Sequence, residues 1–273
     1  MGEIITDQGK QLQRWVEHYL ELYATQNIVT NTAMNAIPGL PVMEELYTLL
    51  SLKQPGKAIN CLTCGKVPGS DSIPPEALKS RKPALLQPLH ELLCLCWEQG
   101  HIPQDMRDTN IITLYKNKGD HSDCNNYLGI SLLSIVGKAF TCVALVCLQT
   151  LASCVYPESQ CGFQASQSTV DMIFSLCQLQ EKCHEQQMPL YITFIDLTKT
   201  FELVSWSRLF RLLQKIGFPP RLLAVITSFH KNMHSTVCFK GATSEAFPVS
   251  SGVKHGCILA QTLFAIFFSM LLQ

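Results

Sequence analysis

The sequence carries little charge and no excess of either sign. Charged residues make up 15% of its 273 positions, with 21 Lys+Arg against 21 Asp+Glu, where soluble domains carry about 25%. With 47% apolar residues it is no disordered chain, which would be rich in charge and poor in apolar side chains. A free-standing nucleic-acid binder needs a basic excess to neutralise phosphates, and none is present. Residues 1–80 hold six cations and eight anions, 81–150 six of each, and 151–273 nine and seven. No N-terminal apolar stretch resembles a signal peptide. The segment that tests for a membrane span, Cys257–Leu272, is 16 residues long and holds Gln261, Thr262 and Ser269. That is short of the ~20 residues a span needs and reads as a buried helix; no membrane partner is expected. The sequence has no Walker loop, no GxSxG, no internal repeat and no low-complexity tract, which removes the P-loop and serine-hydrolase readings.

What is plentiful is cysteine, 13 in all. An odd number cannot pair fully within one chain, and without a leader the expectation is reduced thiols in the cytoplasm or nucleus, not a secreted protein. Cys61-x-x-Cys64 lacks a second pair at zinc spacing, so ordinary thiols are expected there. Met1-Gly2 stands in a weak context for lipidation, with no second membrane signal nearby.

Apolar periodicity predicts helices over 10–24, 84–99, 205–216 and 219–232. Ser131 is the expected cap of a helix from 132 to about 152, and Ser168 of one from 169 to about 185. Residues 25–80, with six prolines, read as an irregular linker. Residues 111–120 read as a strand running into a basic turn, and 235–240 with 246–250 as a hairpin around Gly241. Residues 190–197 form an apolar β-rich run with Asp196 near its end. Helices first and mixed elements later make the class α+β. Taken alone, Asp196 reads as a turn residue or cap, because one carboxylate does not make a metal site.

The wider pattern changes that reading. Asp71-Ser72-Ile73-Pro74-Pro75-Glu76 fits GxDxIPxE. Arg107 to Asp120 fits a fingers strand, and Asn126 to Leu133 fits YRPISLL. Gln160-Cys161-Gly162-Phe163-Gln164 fits QxGFR, and Phe194 to Glu202 fits D-x-x-K-A-F-D. Gly252 to Phe264 fits (R/K)-Q-G-C-x-L-S-P-x-L-F. In this order the chain resembles the reverse transcriptase of non-LTR, LINE-type retrotransposons.

The resemblance implies a right-hand polymerase fold: fingers and an incomplete ferredoxin-like palm, without a thumb. It divides the chain into a helical N-terminal segment and linker over 1–80, a fingers-like region over 81–190, and a partial palm over 191–273. It implies Asp196 as the catalytic metal ligand, with Mg²⁺ as the family's cofactor. Leu197 would help through its carbonyl, Phe201 would be the aromatic gate against a ribose 2′-hydroxyl, and Lys116 and Lys118 would face triphosphate or template. His255 and Gly256 complete the nucleotide-binding set. The expected partners are an RNA template and a DNA primer.

The departures carry equal weight. Leu128 and Gln164 stand where the family has arginines, Glu202 where it has the second aspartate, His255 where it has Gln, and Gln261 where it has Pro. No two aspartates are adjacent anywhere in the sequence, so the family's Asp-Asp hairpin has no counterpart. The reading is a truncated, degenerate reverse transcriptase domain without activity, with weak or no Mg²⁺ binding and weak nucleic-acid affinity. A nucleic-acid- or protein-binding module and a translated relic without a selected role stay open beside it. Self-association through an exposed apolar C-terminal helix, residues 258–272, is also expected.

Overall fold

Five strands make one mixed sheet, described in a computed structural model covering residues 5–24, 34–35, 37–164 and 167–271. The strands β1 (Thr109–Tyr115) and β2 (Tyr127–Leu133) pair antiparallel in full register, from Thr109 opposite Leu133 to Tyr115 opposite Tyr127. On its other edge β1 runs parallel to β3 (His234–Phe239). The two-residue strands β4 (Ala242–Thr243) and β5 (Phe247–Pro248) both pair antiparallel with β3. Parallel neighbours require a long crossover, and here that connection, residues 116–233, contains β2 and four of the α-helices.

One face of the sheet is covered by α1 (Gln8–Ala24). Asp7 caps it, its carboxylate accepting from the Lys10 amide at 2.9 Å. Trp15, Tyr19, Leu22 and Tyr23 recur at helical spacing and bury against Ile111, Met233, Val237, Phe247 and Val249. Residues 8–24 thus share a core with residues from positions 111 to 249.

The larger core surrounds α6 (Ile135–Val155), the most extensively buried helix. Around it lie α2 (Lys53–Cys61), α3 (Pro75–Ser80), α4 (Lys82–Gln99), α5 (Gln104–Arg107), α8 (Trp206–Lys215), α9 (Pro220–Ser228) and α10 (Ile258–Leu271). Gly100 ends α4 in the left-handed conformation, as a C-terminal glycine does. By length and composition α6 is apolar enough to cross a membrane, but 56% of its apolar window is buried inside the fold.

Several expectations need correction. Ser131 is not a helix cap: it lies within β2, and Ser134 caps α6 by accepting from the Gly137 amide at 3.2 Å. Asp71 reinforces that end, its carboxylate accepting from the Ile135 amide at 2.7 Å. Residues 25–80 are not all irregular, because α2 and α3 form where their apolar sides find α6 and α4.

The run 190–197 is not a strand. It is irregular and open, with Tyr191 91%, Phe194 82% and Ile195 79% exposed. A strand exists by its ladder, and among the described residues no strand lies beside this one. The preceding helix α7 (Thr169–Glu185) has a complete Ser168/Asp171 capping box but no buried residue.

The C-terminal helix is not exposed. Leu259, Leu263, Ile266, Phe267 and Met270 of α10 are buried within the α6-centred core. Leu272 and the Met1-Gly2 pair lie outside the described residues.

Candidate functional site

A cleft with about 560 Å³ of empty space, open to solvent, lies where α1, the β1–β2 hairpin, the 199–202 turn and the loop before α10 meet. Its walls include His18 and Tyr19 of α1, Lys116, Tyr127 to Gly129, Lys199 to Glu202, and His255. Each is set by local chemistry. Lys116 follows β1 and extends the ladder by one bond, its amide donating to the Asn126 carbonyl at 2.9 Å.

Between the two strands a short 3₁₀ turn, Cys124–Asn126, is capped by Asp123. The Asp123 carboxylate accepts from both the backbone amide and the side-chain amide of Asn125, each at 2.9 Å. Asn125 therefore turns its acceptors elsewhere. Lys116 Nζ donates to its backbone carbonyl at 3.2 Å, and Lys199 Nζ to its Oδ1 at 2.5 Å.

Phe201 is half-buried on the opposite wall. Its ring stacks on Phe264 at 4.7 Å and meets His255 edge-on at 5.2 Å. Backbone bonds join its turn to the loop before α10. The Val253 amide donates to the Phe201 carbonyl at 2.7 Å, and the Gly252 amide to Val204 at 2.8 Å. That loop also docks on β2, where the Ser131 amide donates to the His255 carbonyl at 2.6 Å. Gly256 sits beside it at φ +110°, and a Cβ there would lie 2.7 Å from the Ser131 carbonyl oxygen. Only glycine fits that approach.

Tyr19 closes the floor. A Cβ on Gly129 would stand 2.6 Å from the Tyr19 hydroxyl. The resembling motif has proline there; in this chain the tyrosine ring takes the space.

The electrostatics are mixed. Burial first, then Lys199 and Arg14, push the His18 imidazole down to about 4, so it is neutral at pH 7. Burial, with Glu202 nearby, raises Tyr19 and Tyr23 above the usual phenol range. Behind the loop, Lys254 is buried, donates to the Arg107 carbonyl at 2.6 Å and sits 5.9 Å over the Phe229 ring. Burial lowers its ammonium to about 8. It ties the loop to the end of α5 and is not among the cleft's lining residues.

Of the residues singled out from sequence, Lys116, Phe201 and His255 line one cleft, and Gly256 adjoins it. Lys118 is exposed in the turn beyond, and Asp196 and Leu197 lie on the open run, outside the lining. Sequence reasoning missed Lys199, Asn125, Glu202 as a wall, and both His18 and Tyr19. Lys199 had a signal, as the lysine of the D-x-x-K pattern. The α1 residues had none, since an aromatic stripe at helical spacing reads as core.

The donor set does not fit the implied Mg²⁺ pair. Two such ions need several carboxylates; Asp196 is exposed, and no group of three or more His, Cys, Asp or Glu with metal-holding geometry occurs among the described residues. The same holds for Cys61 and Cys64, which are free and exposed.

A family model described as reverse transcriptase (RNA-dependent DNA polymerase) matches residues 115–273. The RNA-directed DNA polymerase from mobile element jockey of Drosophila melanogaster is 25% identical over 262 residues, covering 95% of this chain and 27% of that protein. Its counterpart from Drosophila funebris is 25% identical over 235 residues, covering 85% and 25%. The Pol polyprotein from a type-2 retrotransposable element of Drosophila melanogaster is 21% identical over 206 residues, covering 76% and 19%. The chain spans about a quarter of the length of the curated jockey relatives it matches.

Proposed function

Because the chain belongs to the reverse transcriptase (RNA-dependent DNA polymerase) family, with non-LTR retrotransposon polymerases among its relatives, we propose that it comprises the fingers and the first part of the palm of an RNA-directed DNA polymerase. In this reading the cleft is the nucleotide-facing surface, with Lys116 toward the phosphates and Phe201 against the sugar. By itself the chain does not polymerise, binds nucleic acid weakly and works in the cytoplasm or nucleus.

One observation carries this reading. Lys116, Phe201 and His255 come from three distant segments and meet in one cleft. Phe201 is clamped between His255 and Phe264, so its ring is a fixed wall. A rigid aromatic edge discriminates sugars by excluded volume, which needs no charge. Inactivity rests on the carboxylates. Phosphoryl transfer by two ions requires acids that converge; Asp196 stands on an open run, and no metal-holding group of three or more His, Cys, Asp or Glu occurs among the described residues.

Primer extension tests it. On RNA and DNA templates with Mg²⁺ or Mn²⁺, incorporation is expected to match an Asp196→Ala control. Template-dependent synthesis above that control overturns the inactivity.

A second reading, a protein-binding module, is favoured by the apolar side chains exposed along 170–197. Absence of salt-dependent binding to an RNA–DNA duplex favours it over the first.

A further inference from the structure

We propose that His90 and Cys94 of α4, with the Leu50 carbonyl beside them, form a binding site for a zinc-class divalent cation. The site is independent of the polymerase reading, since these residues precede the matched span 115–273.

His90 and Cys94 stand four residues apart on α4, so their side chains leave one face of the helix on successive turns. The Cys94 sulfur lies 3.4 Å from His90 Nε2. Both groups reach one backbone oxygen in the segment before α2. His90 Nε2 is 2.7 Å from the Leu50 carbonyl oxygen, and Cys94 Sγ is 3.8 Å from it. The Leu50 side chain is buried in the α6-centred core, which fixes where that carbonyl stands. A sulfur, a ring nitrogen and a carbonyl oxygen thus mark the corners of one small triangle.

That triangle fits a tetrahedral cation. With Zn–S near 2.3 Å and Zn–N or Zn–O near 2.1 Å, a sulfur ligand stands about 3.5–3.6 Å from its neighbours. The two sulfur distances, 3.4 and 3.8 Å, bracket that value. The nitrogen–oxygen pair is closer because a hydrogen bond joins it. A cation that displaces this proton opens the pair to about 3.4 Å, and the fourth position is left for water. The donor set is two side chains and a backbone oxygen, and not a group of three or more His, Cys, Asp or Glu.

The pair is not arranged as a nucleophile and its base. A carbonyl only accepts, so Nε2 carries a proton toward Leu50 and cannot take one from the thiol. Burial first, then Glu98 and Glu91, push the Cys94 thiol up, the opposite of an activated cysteine. The field of those two carboxylates that opposes a bare thiolate draws a cation. On binding, the thiol proton leaves to solvent, Nε2 gives up its proton and Nδ1 carries the ring proton. Thiolate and imidazole together favour zinc over Mg²⁺, which takes oxygen ligands.

Alkylation of the full chain by iodoacetamide, read peptide by peptide in a mass spectrometer, tests the proposal one cysteine at a time. Zn²⁺ should slow modification of Cys94 about tenfold or more, because a ligated thiolate is no longer free to attack. The exposed Cys154 and Cys177 should react as before, and Mg²⁺ should protect none of the three. Co²⁺ should give a thiolate-to-metal absorption band that Zn²⁺ displaces. That band should persist in Cys61→Ser with Cys64→Ser. In His90→Ala or Cys94→Ser the affinity should fall at least about tenfold, since losing an outer-shell partner alone costs roughly 10–100-fold. Melting without metal shows whether each variant folds, and Zn²⁺ should raise the melting temperature of the wild type but of neither variant.

Zn²⁺ that leaves the rate of Cys94 alkylation in the wild type unchanged overturns the proposal, whatever the variants do. So does a Co²⁺ band that vanishes with Cys61 and Cys64 and survives in Cys94→Ser.

Discussion

Close approaches decide the cost of single substitutions here. Gly129→Ala would push a methyl to 2.6 Å from the Tyr19 hydroxyl, an overpacking worth about 1–3 kcal/mol. Because that obstacle is a side chain, Tyr19→Leu in the same molecule should restore part of the loss. Gly69→Ala meets the Leu133 backbone instead, which has nowhere to go, so its cost should be larger and no side-chain change should rescue it. Urea midpoints of the three variants decide both points.

Buried histidines set the acid limit. His230 is held down to about 4 by burial first and then by Lys254, and His18 likewise by burial first. With folded values below the unfolded 6.5, the unfolded chain binds more protons between those values. Stability is therefore lost as pH falls from about 6.5 through 4. Melting temperature against pH should show that fall, and His230→Gln should flatten it.

Two apolar elements should answer mutation in opposite ways. Leu263 and Phe267 of α10 are buried in the α6-centred core. Leu263→Ala should cost about 2–5 kcal/mol, as leucine-to-alanine changes in cores do. Phe194 and Ile195 look equally apolar in sequence but stand open, so Phe194→Ser with Ile195→Ser should leave stability unchanged within about 0.5 kcal/mol. Chemical denaturation of both variants checks the contrast. Equal losses would mean the 190–197 run packs in solution. Asp71→Ala tests another element end: losing its bond to the Ile135 amide should cost about 1 kcal/mol, read at the same midpoint.

At the scale of the molecule, the exposed apolar surface lies on α7 and the run after it, where Ile173, Phe174, Phe194 and Ile195 are all more than half exposed. Exposed apolar side chains of this kind drive association where they form a patch. Sedimentation is expected to show concentration-dependent oligomers, reduced when Ile173, Phe174 and Phe194 are replaced by serine. Substitution of the exposed Gln261 on α10 should leave the oligomers unchanged. Oligomers that persist in the triple variant would locate the contact elsewhere.

Helices such as α1, α4, α7, α8 and α9 were readable because their hydrogen bonds close within four residues. Their caps and apolar spacing therefore lie inside the local window. The ordered motifs likewise determined the family, since residue type and spacing are properties of the chain alone. Long-range pairing was not determined that way. Whether 190–197 is a strand depends on a partner elsewhere in the chain, and whether α10 is exposed depends on α6. Ser134 takes the cap from Ser131 because β1 draws residues 127–133 into a ladder. The meeting of Lys116 and Lys199 on Asn125 depends on the turn that Asp123 fixes and on a crossover of many residues. Such contacts are chosen by complementary surfaces brought together only in three dimensions, so the tertiary structure alone decided them.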